Sequence, residues 1–229
     1  MNITKPMPNP IDALRANVSV PFEEARAMPP DVYTSETFHS AELENVFKRS
    51  WFCVGRASAL ANTGDYVTCE LAGQPIIVLR NKDSTLRAHS NVCRHRMSTL
   101  LHGRGNVRTI VCPYHAWTYN LDGSLRGAPA MNGNKAFCKD NYSLPKIICE
   151  DWLGWVFITL NPDAQPVAEE LSEVADLVAG YDMTNYTETF FEEHLWDTNW
   201  KVLAENFMES YHLPVCHAGT IGGLSKLDE

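Results

Sequence analysis

Runs of β-branched and aromatic residues dominate the middle of the chain. The segments DYVTCEL (65–71) and QPIIVLR (74–80) flank the dipeptide Ala72-Gly73, which predicts a β-hairpin. The last such run, WVFITL (155–160), predicts a buried strand that stops before Asn161-Pro162. Short strands with turns at regular spacing predict a small antiparallel β domain.

Helical periodicity appears on both sides of this region. The segments SAELENVFKRSW (40–51), VAEELSEVADLV (167–178) and NWKVLAENFMESYH (199–212) place apolar residues three or four apart. Ser40 is the predicted cap of the first helix, and Pro214 is predicted to end the last one because proline has no backbone N–H. Between the last two helices, YTETFFEEHLW (186–196) predicts a strand.

These patterns predict the fold class α+β with three parts. Residues 1–40, with prolines at positions 6, 8, 10, 21, 29 and 30, are expected to form an extended arm. Residues 41–162 form the predicted β domain. Residues 163–229 are the predicted start of an α+β domain.

Composition and charge argue against several classes of protein. The chain has 229 residues and a net charge of −9, which argues against a nucleic-acid partner. It contains no apolar run of about 18 residues, the length that a membrane span needs. The N-terminus lacks the basic start and apolar run of a secretory signal, so we expect a cytoplasmic protein. Seven dispersed cysteines then indicate thiols and metal ligands rather than disulfides.

Two short loops carry a metal-binding pattern, Cys93-x-His95 and Cys112-x-x-His115. Such ligands suit structural zinc or an iron–sulfur cluster. Zinc fingers usually take two cysteines from one loop and two histidines from the other, whereas here each loop offers one of each. That arrangement is typical of a Rieske [2Fe–2S] centre, in which two thiolates hold one iron and two imidazoles hold the other. His102 lies outside the ligand spacing, and we expect a loop role for it.

A second candidate site follows in ENFMESYHLPVCH (205–217). On a continuous helix, Glu205, Glu209 and His212 would share one face, with His217 beyond Pro214. Two histidines beside carboxylates suggest a mononuclear non-haem iron site of the two-His, one-carboxylate type. The alternative is a helix with an acidic stripe and incidental histidines.

The segments NVCRHR, CPYHAWTYNLDG and ENFMESYH resemble those of Rieske non-haem iron oxygenase α subunits. Met97 stands where that family often has glycine, which should alter loop packing but not ligation, and Trp117 could pack over the cluster. The resemblance implies that residues 41–162 are the Rieske domain and residues 163–229 the N-terminal part of the catalytic domain. It also implies that His212 and His217 bind the mononuclear iron and that Glu209 bridges the two metal sites. The family's third iron ligand, an aspartate, is not expected in this chain, which is therefore expected to be truncated.

The resemblance further implies a terminal oxygenase that hydroxylates or N-demethylates a small organic substrate. Its cofactors would be the [2Fe–2S] cluster, Fe(II) and O₂, with NAD(P)H oxidised by a flavin and iron–sulfur reductase partner. The full-length form would be a homotrimer, with no nucleic-acid or membrane partner. Glu209 in the compact form ENFMESYH is similar to oxygenases of quaternary ammonium compounds such as carnitine or glycine betaine. The alternatives are an aromatic-ring dioxygenase α subunit, a Rieske electron-transfer protein without catalysis, and a zinc-stabilised binding module.

Overall fold

The computed structural model describes residues 9–131 and 133–224, and the chain divides into two compact units. One unit combines the N-terminal residues up to Glu42 with the residues from Glu192 onwards. The other runs from Leu43 to Phe191. The bounds of these units do not coincide with residue 162, and the domain division at 162 remains a prediction.

The second unit is built on antiparallel strands. Their bounds are Phe52–Arg56 (β1), Asp65–Leu71 (β2), Gln74–Arg80 (β3), Leu86–Ser90 (β4), Arg104–Asn106 (β5), Ile110–Val111 (β6), Thr118–Tyr119 (β7), Leu125–Gly127 (β8), Lys146–Trp152 (β9) and Trp155–Thr159 (β10). Seven of them form one sheet in the order β1-β10-β9-β4-β3-β2-β5, and β6-β7-β8 form a second sheet. The predicted antiparallel β domain is confirmed.

Local turn chemistry explains the β2–β3 hairpin. Ala72 and Gly73 both have positive φ, 49° and 75°, as a two-residue hairpin turn requires. Strand β3 is central, because β2 and β4 pair with it on either side. Alternate residues of β3 pack into two different hydrophobic clusters, one on each face of the sheet. Ile77 lies in the cluster that also contains the loop cysteines, whereas Ile76 packs with β10 on the other face.

The helices are short. Their bounds are Pro10–Val18 (α1), Asp31–Thr34 (α2), Glu36–Glu42 (α3), Val167–Glu170 (α4), Ser172–Val178 (α5), Trp200–Met208 (α6) and Leu213–Cys216 (α7). A π-helix spans Leu43–Phe47, and 3₁₀ turns cover Phe22–Glu24, Ala57–Leu60, Lys139–Tyr142, Met183–Asn185 and Ile221–Leu224. Within the described ranges, no helix combines the length and the apolar character needed to cross a membrane.

The prediction of an extended N-terminal arm is wrong for residues 9–40, which contain three helices; residues 1–8 lie outside the described residues. Pro10 stands in the first turn of α1, where a missing N–H costs nothing, and the Asn9 side chain accepts the Ile11 N–H. Proline therefore starts this helix instead of preventing it. The predicted cap Ser40 is also wrong, because Ser40 lies inside α3.

Two predictions near the C-terminal end are wrong as well. Helix α6 stops at Met208, and Glu209 is extended with φ −125° and ψ 154°. The Glu209 side chain accepts the His212 N–H at 3.2 Å, taking the place of a helical carbonyl. Pro214 consequently lies in the first turn of α7 instead of ending α6. The segment 186–196 forms no strand, because no described strand pairs with it, and the Tyr186 carbonyl accepts a hydrogen bond from Arg56 instead.

Candidate functional site: two cysteine–histidine loops and a glutamate–histidine cluster

The two cysteine–histidine loops share one backbone design. In the first loop the Met97 N–H donates to the Cys93 carbonyl at 3.1 Å, and in the second the Ala116 N–H donates to the Cys112 carbonyl at 3.0 Å. Met97 and Ala116 both take left-handed backbone, with φ of 54° and 55°. The turn that glycine adopts freely is thus kept at Met97, whose side chain points to solvent.

Each loop sends its cysteine inward and its histidine outward. Cys93 and Cys112 are 1% and 3% exposed, and both lie in the core cluster beneath β3. His95 and His115 are exposed, with ring centroids 4.7 Å apart. The two thiols are therefore buried and the two imidazoles exposed, which suits a cluster whose two irons take different ligands.

Hydrogen bonds prepare Cys112 for ionisation. Burial raises the pKa of the Cys112 thiol. Hydrogen bonds from the Tyr114 and His115 backbone N–H groups and from the Cys93 and Ser98 side chains outweigh that effect, so the pKa lies below its usual value. A lowered pKa favours the thiolate, which is the form that binds metal.

The surroundings of His95 favour the neutral imidazole, which is the form that binds a metal. Desolvation lowers the pKa of the imidazole, and the charges of His115 and Arg96 lower it further. The neutral ring, which offers a free nitrogen lone pair, is therefore favoured.

Two aromatic side chains complete the surroundings. The ring of Trp117, which is buried, stacks on His95 with centroids 4.9 Å apart, as expected for a residue that covers one side of the site. The Tyr119 hydroxyl lies 3.3 Å from the Cys93 sulfur and accepts the Arg94 N–H at 3.0 Å. Tyr119 was not singled out in the sequence. The signal that could have found it is a tyrosine in a buried strand position, because its hydroxyl must find a partner there.

The donor set fits a two-iron cluster. Across residues 9–131 and 133–224, no group of three or more His, Cys, Asp or Glu side chains is arranged around a single metal ion. Each iron of a Rieske [2Fe–2S] cluster takes two ligands from the protein, two thiolates at one iron and two imidazoles at the other. The buried thiol pair and the exposed imidazole pair meet that requirement.

The second candidate site brings together three residues after α6. The rings of His212 and His217 have centroids 5.4 Å apart in an edge-on arrangement. Glu209 binds His212 twice, through the backbone N–H at 3.2 Å and through ring Nδ1. A carboxylate on Nδ1 fixes the ring and leaves Nε2 for a metal.

The same contact explains the ionisation of Glu209. The His212 ring lowers the pKa of the Glu209 carboxyl, desolvation opposes it, and the His212 and Tyr211 backbone N–H groups lower it again. Glu205, which was predicted on the same face, does not join this group. Its carboxylate accepts hydrogen bonds from the Tyr33 hydroxyl instead.

Comparison with known proteins gives two family matches. Residues 50–144 match the Rieske [2Fe-2S] domain, and residues 168–227 match the ring hydroxylating alpha subunit (catalytic domain). The first match contains all four cysteine and histidine candidates, and the second contains Glu209, His212 and His217.

Curated relatives include oxygenase subunits. The chain is 37% identical over 209 residues to the carnitine monooxygenase oxygenase subunit of Escherichia coli K12, covering 86% of this chain and 54% of the relative. It is 31% identical over 204 residues to the glycine betaine monooxygenase oxygenase subunit of Chromohalobacter salexigens, covering 89% and 46%. The chain thus spans about half the length of the curated relatives it matches.

Solved structures agree with this picture. A quaternary ammonium Rieske monooxygenase with a bound inhibitor superimposes with a TM-score of 0.81 at 37% identity, covering 91% of this chain and 57% of the other. A naphthalene 1,2-dioxygenase variant with bound phenanthrene gives a TM-score of 0.75 at 30% identity, covering 81% and 43%.

Proposed function

Because the chain belongs to the family of Rieske non-haem iron oxygenase α subunits, we propose that it is part of the oxygenase component of such an enzyme. The complete protein would hydroxylate or N-demethylate a small organic substrate. The observation that carries this proposal is the pair of matched loops, each with a buried thiol and an exposed imidazole.

Four residues would hold the [2Fe–2S] cluster, Cys93 and Cys112 at one iron and His95 and His115 at the other. His212 and His217 would hold a mononuclear Fe(II). When bound, the cluster supplies single electrons and the Fe(II) provides the place for O₂. The protein's own part is to favour the thiolate of Cys112, favour the neutral ring of His95 and shield the His95 side with Trp117.

Glu209 would act by orientation and charge. Its carboxylate fixes the His212 ring, and a second hydrogen bond to a cluster histidine of a neighbouring subunit would make it the bridge between the two metal sites. This bridge requires the homotrimer, and the electrons require a reductase partner that oxidises NAD(P)H. Both belong to the proposal, as does a cytoplasmic location.

A quaternary ammonium compound is the substrate class we favour. The curated relatives that support it are named for carnitine and glycine betaine. The resemblance of Glu209 in ENFMESYH to oxygenases of quaternary ammonium compounds supports the same class. An aromatic-ring dioxygenase is the second candidate, supported by the fold of naphthalene 1,2-dioxygenase. The match over residues 168–227 favours an oxygenase over an electron carrier without catalysis.

The complete reading frame that contains this chain, expressed and combined with a reductase and NADH, tests the function. O₂ uptake that depends on carnitine or glycine betaine, and not on naphthalene, is expected. Uptake that depends on naphthalene alone would support the second candidate. No uptake with any substrate, from protein loaded with both metals, would contradict the oxygenase proposal.

The role of Glu209 is tested in the same protein by Glu209→Gln. Both metals should remain bound, whereas reoxidation by O₂ of the pre-reduced protein in a single turnover should slow by roughly 10- to 100-fold. Glu209→Asp should be similarly damaging, because it withdraws the carboxylate by about 1 Å. The matched control is Glu192→Gln, which removes another exposed glutamate–histidine contact, to His194. Reoxidation of Glu209→Gln at the wild-type rate would rule out the bridging role.

A further inference from the structure

One face of helix α6 is occupied by polar contacts to the N-terminal helices. Lys201 and Glu205 are four residues apart and therefore neighbours on that face, where they could pair with each other. Instead, each binds a residue far away in the sequence. Lys201 pairs with Glu42, 159 positions away, and Glu205 with Tyr33, 172 positions away.

The Glu42–Lys201 contact is a buried ion pair. The Lys201 ammonium lies 2.8 Å from the Glu42 carboxylate, and the two side chains are only 10% and 8% exposed. Aromatic rings surround the ammonium, with the Phe38 ring centroid 5.3 Å and the Tyr33 centroid 5.7 Å away. Removing one partner would leave the other charge buried, which is strongly unfavourable.

Tyr33 and Asn199 add contacts at adjacent turns of the helix. The Tyr33 hydroxyl donates to the Glu205 carboxylate, with oxygen distances of 2.8 and 2.9 Å. The Asn199 amide donates to the Tyr33 carbonyl at 2.9 Å, while its oxygen caps α6 by accepting the Lys201 N–H at 3.1 Å. Two positions of the helix and its N-cap residue are thus tied to α2 and α3.

These contacts fix the rotation of α6 about its axis, and so the direction in which the chain leaves the helix towards Glu209. Helix α6 has nine residues and leads directly into Glu209, which binds His212. Phe207 and Met208, at the end of the helix, are exposed, so packing there does little to fix its rotation. A rotation of one residue about the helix axis, about 100°, would swing Glu209 away from its present direction.

We propose that Glu42 and Tyr33 are positioning residues for the Glu209–His212 contact, acting through Lys201 and Glu205. The inference rests on the proposed function only in taking His212 and His217 as a metal pair. It assigns the helices of residues 31–42, which precede the Rieske region, a part in forming the mononuclear site.

Glu42→Gln and Tyr33→Phe test this, each changing one polar group and keeping the shape. The matched controls are Glu44→Gln, which affects the exposed pair with Lys48, and Tyr181→Phe, which removes an exposed hydroxyl. The first readout is ¹⁵N NMR of histidine-labelled, cluster-loaded protein without added metal. It reports whether His212 carries its proton on Nδ1, as donation to Glu209 requires.

In wild type and in the controls, His212 should show one tautomer with the proton on Nδ1. In Glu42→Gln and Tyr33→Phe it should show a mixture. The second readout is the Kd for Zn²⁺, used as a redox-silent probe and followed on the His212 and His217 signals, which should weaken by roughly tenfold in the same two variants.

A lower melting temperature with an unchanged His212 tautomer and Zn²⁺ affinity would overturn the proposal, since the contacts would then only stabilise the fold. If Glu42→Gln fails to fold, Tyr33→Phe carries the test, because it removes a single oxygen. Absence of Zn²⁺ binding in the wild type would count against the metal pair of the proposed function. The tautomer comparison would still decide the positioning role.

Discussion

The hydroxyl of Tyr119 lies 3.3 Å from the sulfur of Cys93, in a fully buried position. Its oxygen also accepts the Arg94 N–H at 3.0 Å, which leaves the hydroxyl hydrogen for the sulfur. Burial raises the pKa of Tyr119, and the contact with Cys93 raises it further, so the hydroxyl keeps its proton and acts as a donor.

Tyr119→Phe should therefore lower the reduction potential of the cluster. A hydrogen bond to a ligand sulfur disperses its negative charge and favours the reduced state. Losing one bond of about 1 kcal/mol corresponds to roughly 40–50 mV for a one-electron couple. A redox titration followed by circular dichroism or electron paramagnetic resonance measures it. Tyr114→Phe, which removes the hydroxyl of an exposed tyrosine in the second cysteine–histidine loop, should leave the potential unchanged. Equal potentials for wild type and Tyr119→Phe would show that the hydroxyl does not act on the sulfur.

A side chain at position 123 would be unfavourable for two reasons, the positive φ of the backbone and the nearby ring of His89. Gly123 has φ +84°, and a Cβ there would lie 2.7 Å from the His89 ring. Gly73 has φ +75° with no atom within 4 Å of such a Cβ. Gly73→Ala should therefore cost only backbone strain, about 1 kcal/mol of unfolding free energy. Gly123→Ala should cost a further 1–3 kcal/mol, roughly, from overpacking. Urea denaturation compares them, and equal losses would contradict a steric role for His89.

His89 should make the fold less stable in mild acid. Its Nε2 lies 3.2 Å from the Leu121 carbonyl, which can only accept, and its buried Nδ1 has no hydrogen-bond partner among the described residues. Burial lowers the pKa of His89 below its ordinary 6.5, with the Leu121 hydrogen bond opposing. The folded state therefore favours the neutral ring, whereas the unfolded chain takes up a proton near pH 6.5.

The stability that the neutral His89 ring provides is fully present above pH 6.5 and declines as the pH falls towards the folded pKa. Each unit of difference between the two pKa values corresponds to about 1.4 kcal/mol. His89→Gln can still donate to Leu121 but does not titrate, so its unfolding free energy should depend less on pH in this window. His102→Gln, at an exposed histidine, should behave as wild type. The same pH dependence in wild type and His89→Gln would assign it to other groups.

The parts that the sequence predicts well are those whose geometry is local. The β2–β3 hairpin follows from Ala72-Gly73, because a two-residue turn dictates the register of its strands. The cysteine–histidine loops follow from a spacing of two and three residues, over which the chain has little freedom. The helix prediction beyond Met208 failed because the Glu209 carboxylate accepts the His212 N–H in place of a helical backbone carbonyl. The spacing of apolar residues carries no information about such a side-chain contact.

Contacts between distant residues were beyond sequence reasoning. Tyr119 meets Cys93 across 26 positions, and Lys201 meets Glu42 across 159. Each residue taken alone is an ordinary strand tyrosine or helix lysine. Only the folded chain shows that the first donates towards a ligand sulfur and that the second is buried against a carboxylate.

Metal content and electron paramagnetic resonance of the reduced chain test the central claim, that Cys93, His95, Cys112 and His115 hold a [2Fe–2S] cluster. We predict about two irons and two acid-labile sulfides per cluster site, with a Rieske spectrum. The signal should disappear in His95→Ala and persist in His102→Ala. A colourless, silent sample with stoichiometric zinc, or an unchanged Rieske spectrum in His95→Ala, would contradict the account.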